Sequence, residues 1–269
     1  MTWSYLTTNY NKADTLRESI PSMLDSLPED GELIVVDGES TDGSIEVVRD
    51  LAAEDDRLEL IVEDSNLGEG RQIAMDHASG DHVVEHLDTD RLYGDLTEYH
   101  DLYEALSEEH DDLFLMTLDS VYVTTPEVSA KMGGWPPISR AEERVYTDRA
   151  FRADDVTPRL YPKSVSEELP SDDVSTLPRR MRKWKYEVRD NVRCGFSLGQ
   201  IIRYHHHEFS LPKALVADGI AAAGWWSARG MDEYGRNRSS WREFPSWEFG
   251  VDPGSDVVLD GPDRFGWEA

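Results

Sequence analysis

The 269-residue chain has one cysteine, Cys194, so no intrachain disulfide can staple it. Lysine is scarce, with six residues against 21 arginines. No stretch approaches the roughly 18 apolar residues of a membrane span. The opening residues, MTWSYLTTNYNK, lack the basic-then-apolar order of a signal peptide. The expectation is a cytoplasmic protein. Positive charge is thin overall, since 27 Lys+Arg face 55 Asp+Glu for a formal net charge of −28. Such a surface excludes non-specific nucleic-acid binding, so nucleic acid is not an expected partner.

An apolar pattern is nevertheless present. Hydrophobic residues make up 39% and aromatics 10%, which is not the composition of a disordered acidic chain. Many carboxylates, few lysines and an intact core pattern fit a folded protein of a salt-rich cytoplasm, where ionic strength screens self-repulsion. Over the first 125 residues, short apolar runs (SYLTT, ELIVVD, LELIVE, HVVEHLD, DLFLMTL) alternate with helix-length segments starting near Lys12, Asp42, Leu67 and Asp95. This rhythm predicts βαβ units: an α/β fold with a mainly parallel, doubly wound sheet and helices on both faces. Ligands of such sheets bind at the carboxyl ends of the strands. Two domains are expected: a core over 1–150, and a helical, irregular C-terminal extension over 151–269 packed on it. Residues 154–180 are rich in Pro, Ser and Asp and read as an extended excursion. The last 40 residues show no clear periodicity.

Candidate site residues fall at strand ends. In VVDGESTDGS a strand ends at Asp37, which can accept a hydrogen bond from a nucleobase or a ribose hydroxyl. A turn aspartate serving its own backbone is the competing reading. Asp42 is placed as a helix N-cap. In VVEHLDTD a buried run ends in Asp88-Thr89-Asp90. Two carboxylates flanking one residue suit a hard divalent cation bound together with substrate phosphates, or else form a solvated acidic turn. His205, His206 and His207 would point about 100° apart on a helix, so all three cannot bind one ion. The run RRMRKWK stands out against the acidic background. It suits an anionic acceptor or a membrane surface, or serves as an internal partner for acidic segments. AAAGWWSARG reads as core packing first and as an interfacial contact second.

The order of these segments is more specific than any one of them. TTNYNKADTL, VVDGESTDGS and NLGEGRQIAMDHASGDHVVEHLDTD together resemble the N-terminal half of GT-A-fold glycosyltransferases of the family 2 type. Thr8, Tyr10, Asn11 and Lys12 match the first motif, and Asp37, Ser40, Asp42 and Gly43 the second. Asn66, Gly68, Arg71, Ala78, Gly80 and Asp81 match the third, and Asp88 and Asp90 the last. Downstream, Gly133-Gly134-Trp135, Glu142-Glu143 and Arg149-Ala150 follow the family's later pattern, with Glu143 where the family usually has Asp. With the acidic composition, the expected source is a halophilic archaeon.

The resemblance implies an inverting glycosyltransferase that moves a sugar from a nucleotide-diphosphate sugar to an acceptor hydroxyl or a lipid phosphate. Thr8, Tyr10, Asp37, Arg71, Asp88, Gly134 and Trp135 would bind the nucleotide sugar. Asp88 and Asp90 would hold Mg²⁺ or Mn²⁺, and Glu143 would be the catalytic base. One of the three histidines could join the metal. The acceptor would be a glycan or a lipid-linked molecule; peripheral contact at the inner face of the membrane is the expectation that goes with the first reading of the RRMRKWK run. Two rivals stand beside this: a catalytically inactive nucleotide-sugar-binding relative, and a nucleotidyltransferase. The second usually carries a Gly-rich loop after its first strand, which TTNYNKAD lacks.

Overall fold

The computed structural model describes residues 2–170, 176–234 and 259–260. Strands β1 (Trp3–Asn9), β2 (Glu32–Asp37), β3 (Leu58–Val62) and β4 (His82–Asp88) alternate with helices α1 (Leu16–Leu24), α2 (Ser44–Ala52) and α3 (Leu67–His77). Then come β5 (Arg91–Tyr93), α4 (Thr97–Ser107), β6 (Leu113–Thr117), β7 (Tyr122–Thr124), α5 (Pro126–Lys131) and α6 (Glu142–Arg152). β8 (Thr157–Tyr161), β9 (Ser166–Glu168), α7 (Leu177–Arg193), α8 (Leu198–Glu208), α9 (Leu211–Ala228) and β10 (Leu259–Asp260) complete the described elements.

The main sheet runs β10-β8-β6-β7-β4-β1-β2-β3. β3, β2, β1 and β4 are mutually parallel, β7 is antiparallel to β4 and β6, and β8 is parallel to β6. The strand–helix rhythm is thus a mainly parallel α/β sheet, as expected, with β7 reversed near its middle and β10 reversed at its edge. Side chains of a strand alternate between faces. In β2, Leu33 and Val35 enter one apolar cluster with α1 and α4, while Ile34 and Val36 join Ala74 and Met75 of α3 on the other face. Both faces are therefore covered, which is why these strands read as continuous apolar runs.

Helix starts follow local chemistry. α3 opens on a capping box, in which the Asn66 side chain accepts from the Glu69 N–H and the Glu69 carboxylate accepts from the Asn66 N–H. Asp42 is not the cap of α2. Gly43, in the left-handed region at φ 96°, takes that place, and Asp42 one residue earlier accepts from the Ser44 N–H. The excursion at 154–180 contributes β8 to the main sheet, and β9 pairs with β5 in a small second sheet. α7, α8 and α9 pack together at the C-terminal side. Among the described residues, no helix is long and apolar enough to cross a membrane.

Candidate active site

β1 lies between β2 and β4, with Asn9 opposite Asp37 and Thr8 opposite Asp88. Two inter-strand gaps therefore separate Asp37 from Asp88, roughly 10 Å at ordinary strand spacing. Both stand at the carboxyl edge of the parallel strands. Their surroundings differ sharply.

Asp37 is fully buried. Its Oδ1 accepts from the Ser40 N–H (2.6 Å), and its Oδ2 accepts from Asn9 Nδ2 (2.6 Å) and Ser40 Oγ (2.8 Å). A carboxylate offers about four acceptor positions, so most are taken. Here Asp37 fixes its own turn. The ring of Tyr10, 62% exposed, projects beside that turn.

Asp88 and Asp90 are partly exposed. Arg71 Nη2 lies 3.4 Å from Asp88 Oδ1, and Lys12 Nζ lies 2.7 Å from Asp90 Oδ2. Thr89 between them is buried and tied by its hydroxyl to Asn9 Oδ1 at 3.1 Å. Two oxygen donors with access to water are a donor set that Mg²⁺ or Mn²⁺ accepts, and neither carboxylate is locked in a buried ion pair.

Arg71 is buried and joins the two halves of the site. Besides Asp88, its Nε lies 3.6 Å from Glu142 Oε1, and its guanidinium sits 5.1 Å from the Trp135 ring centre. Burial alone would lower its pKa, but the charges of Asp88, Glu142 and Glu143 raise it instead. Glu142 is buried, and burial together with the neighbouring Glu143 charge pushes its pKa up. Glu143 moves the other way. Burial would raise it, but His86, Arg144 and Arg71 outweigh that and hold it low. A carboxyl pair pushed apart like this is a pattern of acid–base sites.

His86 faces that pair, with Nε2 3.9 Å from Glu143 Oε2, an ion-pair distance longer than a hydrogen bond. It occupies a left-handed backbone position at φ 64°, where the register of β1 against β4 shifts between Tyr5 and Thr7. A bulge of this kind re-aims a side chain at a cost of order 1 kcal/mol in backbone strain. Donor atoms of His86, Glu142 and Glu143 lie within 4.8 Å of one another, a grouping with metal-ligand chemistry. Arg71 already supplies a cation to it.

Glu85 ties the parts together from below. Its Oε2 accepts from Trp135 Nε1 at 2.7 Å, and the Tyr146 hydroxyl lies 2.8 Å from its Oε1. Strand β4, the Gly-Gly-Trp loop and helix α6 thereby meet at one buried carboxyl, whose pKa burial raises to about 7. The loop is also pressed onto α3. A Cβ on Gly68 would fall 1.9 Å from the Pro136 carbonyl, so only glycine allows this approach.

A crevice too narrow to admit a water molecule lies among Thr7, Thr8, Arg71, Glu85, His86 and Trp135. A nucleotide sugar needs more room than this, so it would lie along the open strand edge and not inside the crevice. Of the residues singled out from sequence, Thr8, Arg71, Asp88, Trp135 and Glu143 come together here. Trp135 is buried against Tyr146, with ring centres 4.0 Å apart. Gly134 opens on a different cavity, with Gln72 and Asp76.

The histidine run is engaged elsewhere. His205 Nδ1 and His206 Nε2 lie 3.1 and 2.8 Å from Asp218 of α9, and His207 lies 2.8 Å from Glu208. Sequence reasoning named Glu142 only as the first member of the Glu142-Glu143 pair, and it did not single out Glu85 or His86. The available signal was two ionisable residues inside the otherwise apolar run VVEHLD.

Comparison with known proteins bears on the family and the fold. Residues 4–169 match glycosyl transferase family 2. A segment of 78 residues is 38% identical to the putative glycosyltransferase EpsE of Bacillus subtilis (strain 168), covering 28% of this chain and 28% of that protein. Among solved structures, residues 1–349 of TarS from S. aureus in complex with UDP-GlcNAc are similar at a TM-score of 0.53 and 15% identity, over 86% of this chain and 74% of that one. The mannosyltransferase PcManGT from Pyrobaculum calidifontis, in complex with GDP-Man and Mn²⁺, gives 0.49 and 16% over 84% and 86%. With more than half its length matched, and with a GT-A-like sheet carrying the carboxylates at its edge, the chain belongs to glycosyl transferase family 2.

Proposed function

We propose that this protein is a metal-dependent, inverting glycosyltransferase that moves a sugar from a nucleotide-diphosphate sugar to a hydroxyl of a glycan or a lipid-linked acceptor. The observation that carries the reading is the pair Glu142–Glu143, pushed apart in pKa beside Arg71 and within one site of Asp88. Glu143 is the ionised member and keeps a quarter of its side chain exposed, so it is the one that can accept the acceptor's proton. His86 and Arg144 favour its charged form. Glu142 stays buried against Arg71 and helps hold that guanidinium toward Asp88.

Asp88 and Asp90 would hold the divalent cation. When bound, it neutralises the diphosphate and makes it a better leaving group. Tyr10 offers an exposed ring for stacking on the base, and Asp37 keeps the adjoining turn rigid. Thr8 and Arg71 line the approach, Trp135 supports the Arg71 guanidinium, and the Gly134 backbone shapes the loop behind them. Attack by the deprotonated hydroxyl opposite the departing diphosphate is a single displacement, which inverts the anomeric centre. The protein works in a cytoplasm of high salt, a setting supported by its −28 charge and six lysines.

The test is incubation of the purified protein with a panel of nucleotide sugars and Mn²⁺, following release of nucleoside diphosphate. Release that needs the metal and is lost in Glu143→Gln supports the proposal. Donor binding without turnover in the presence of acceptors would instead identify an inactive binder.

A further inference from the structure

Helix α9 is apolar on the side that faces the protein and on the side that does not. At 100° per residue, Ala214, Ala217, Ala221, Gly224 and Ala228 fall on one side, and all are buried. Leu211, Leu215, Val216, Ala222, Ala223 and Trp226 fall within about 140° on the other side, and all are exposed. The four large ones are 57–66% exposed. A helix apolar all round is normally covered all round. In a chain of net charge −28, an apolar face that no described residue covers is the opposite of what solubility demands.

The charge around that face is also inverted. Residues 176–230 carry ten Arg and Lys against four Asp and Glu, a net +6 that leaves −34 on the rest of the chain. Gly224 of α9 packs directly on Lys185 and Val188 of α7. Trp184 of α7 packs on His205 of α8, and His205 lies 3.1 Å from Asp218 of α9, so the exposed Arg180, Met181, Arg182 and Lys183 lie at the level of the first half of α9, the part that carries Leu211, Leu215 and Val216. The Arg229 guanidinium sits 4.7 and 4.9 Å from the ring centres of Trp225 and Trp226.

We propose that the α9 face, flanked by the basic turn of α7, docks on an anionic lipid bilayer. A bilayer interface accepts both parts at once: apolar side chains and indoles enter the headgroup boundary, while Arg and Lys meet lipid phosphates. A second copy of the chain would supply an apolar face but no anionic surface for the Arg and Lys residues, because the same region of the copy carries the same net positive charge. None of the residues on this face belongs to the donor edge of the sheet, and the docking does not depend on the reaction assigned there.

The experiment is vesicle flotation of the full chain in a salt concentration at which far-UV circular dichroism shows it folded. Vesicles of phosphatidylglycerol mixed with phosphatidylcholine are compared with phosphatidylcholine alone. Expected is flotation with the anionic vesicles, and at least a tenfold loss in the double variant Leu215→Glu/Trp226→Glu. Both changes are on exposed side chains, so the dichroism spectrum should be kept. Arg180→Glu/Lys183→Glu should reduce the preference for anionic vesicles, and added salt should do the same while the apolar dependence persists. Absence of flotation, or equal flotation of the Leu215/Trp226 variant, would overturn the proposal. So would a parent that self-associates in sedimentation velocity without binding vesicles, since the face would then join copies of the chain.

Discussion

The donor edge of the sheet and the C-terminal helices solve opposite problems with charge. At the edge, carboxylates are gathered and then held. Asp37 is tied by Asn9 and Ser40, Glu85 by Trp135 and Tyr146, and Glu142 lies against Arg71. In α7–α9 the excess is basic, and the apolar face of α9 has no cover among the described residues. The polar contacts described there tie helix to helix and helix to the segment after α9, as His205 and His206 do on Asp218 and Arg193 Nε does on the Asp232 carbonyl. The edge is therefore a preorganised site, where buried polar groups cost several kcal/mol unless paired. The helical region is a surface, where exposed apolar area costs little until something meets it.

The largest effect that would sharpen this contrast is catalytic. Glu143→Gln should lower turnover by a factor on the order of 10²–10⁴ and leave donor affinity in place. Asp88→Asn or Asp90→Asn should weaken metal-dependent donor binding as well. Titration calorimetry beside initial rates separates the two patterns. If Glu143→Gln turned over at the parent rate, Glu142 would become the candidate base.

Next is the buried cation. Arg71→Met removes the buried cation that faces Asp88 and the ionised Glu143 and should cost about 1–3 kcal/mol in denaturant unfolding, since Asp88 keeps water and Glu142 is the neutral member of its pair. Glu142→Gln replaces that neutral carboxyl and should cost less, and the double variant should cost little more than Arg71→Met by itself. Additive losses would show that the two do not work as a unit.

Salt tests the contrast at the scale of the whole chain. With −34 outside the basic region, the melting temperature should rise by several degrees from about 0.1 to 2 M KCl. A melting temperature that ignores salt would remove the halophilic reading.

The smallest effect concerns Glu85. In the unfolded chain its carboxyl titrates at an ordinary 4.5, and in the fold near 7. Between those values the native state holds a proton that the unfolded state has lost, so stability falls as pH rises through the window and levels off above about 7. The parent should lose about 1–3 kcal/mol between pH 5 and 8. Glu85→Gln should be flat there, because Gln can still accept from Trp135 and donate to the Tyr146 oxygen. An equal slope in both proteins would mean that another group titrates.

By itself the sequence determined the strand–helix order and the aspartates at the strand ends. Side-chain alternation and capping are local, so ELIVVD and NLGEG announce a strand and a helix start without knowledge of their neighbours. Only the tertiary structure decided which polar residues share a site. Glu85 and Trp135 are 50 positions apart, and Arg71 and Glu142 are 71 apart. No periodicity links residues at such separations. His86 reaches Glu143 because of a bulge that the sequence does not mark. α9 shows the same limit from the other side. Its apolar residues predict burial, and only the packing of α7 and α8 decides which half of the helix is covered, because a helix apolar all round carries no record of its own orientation.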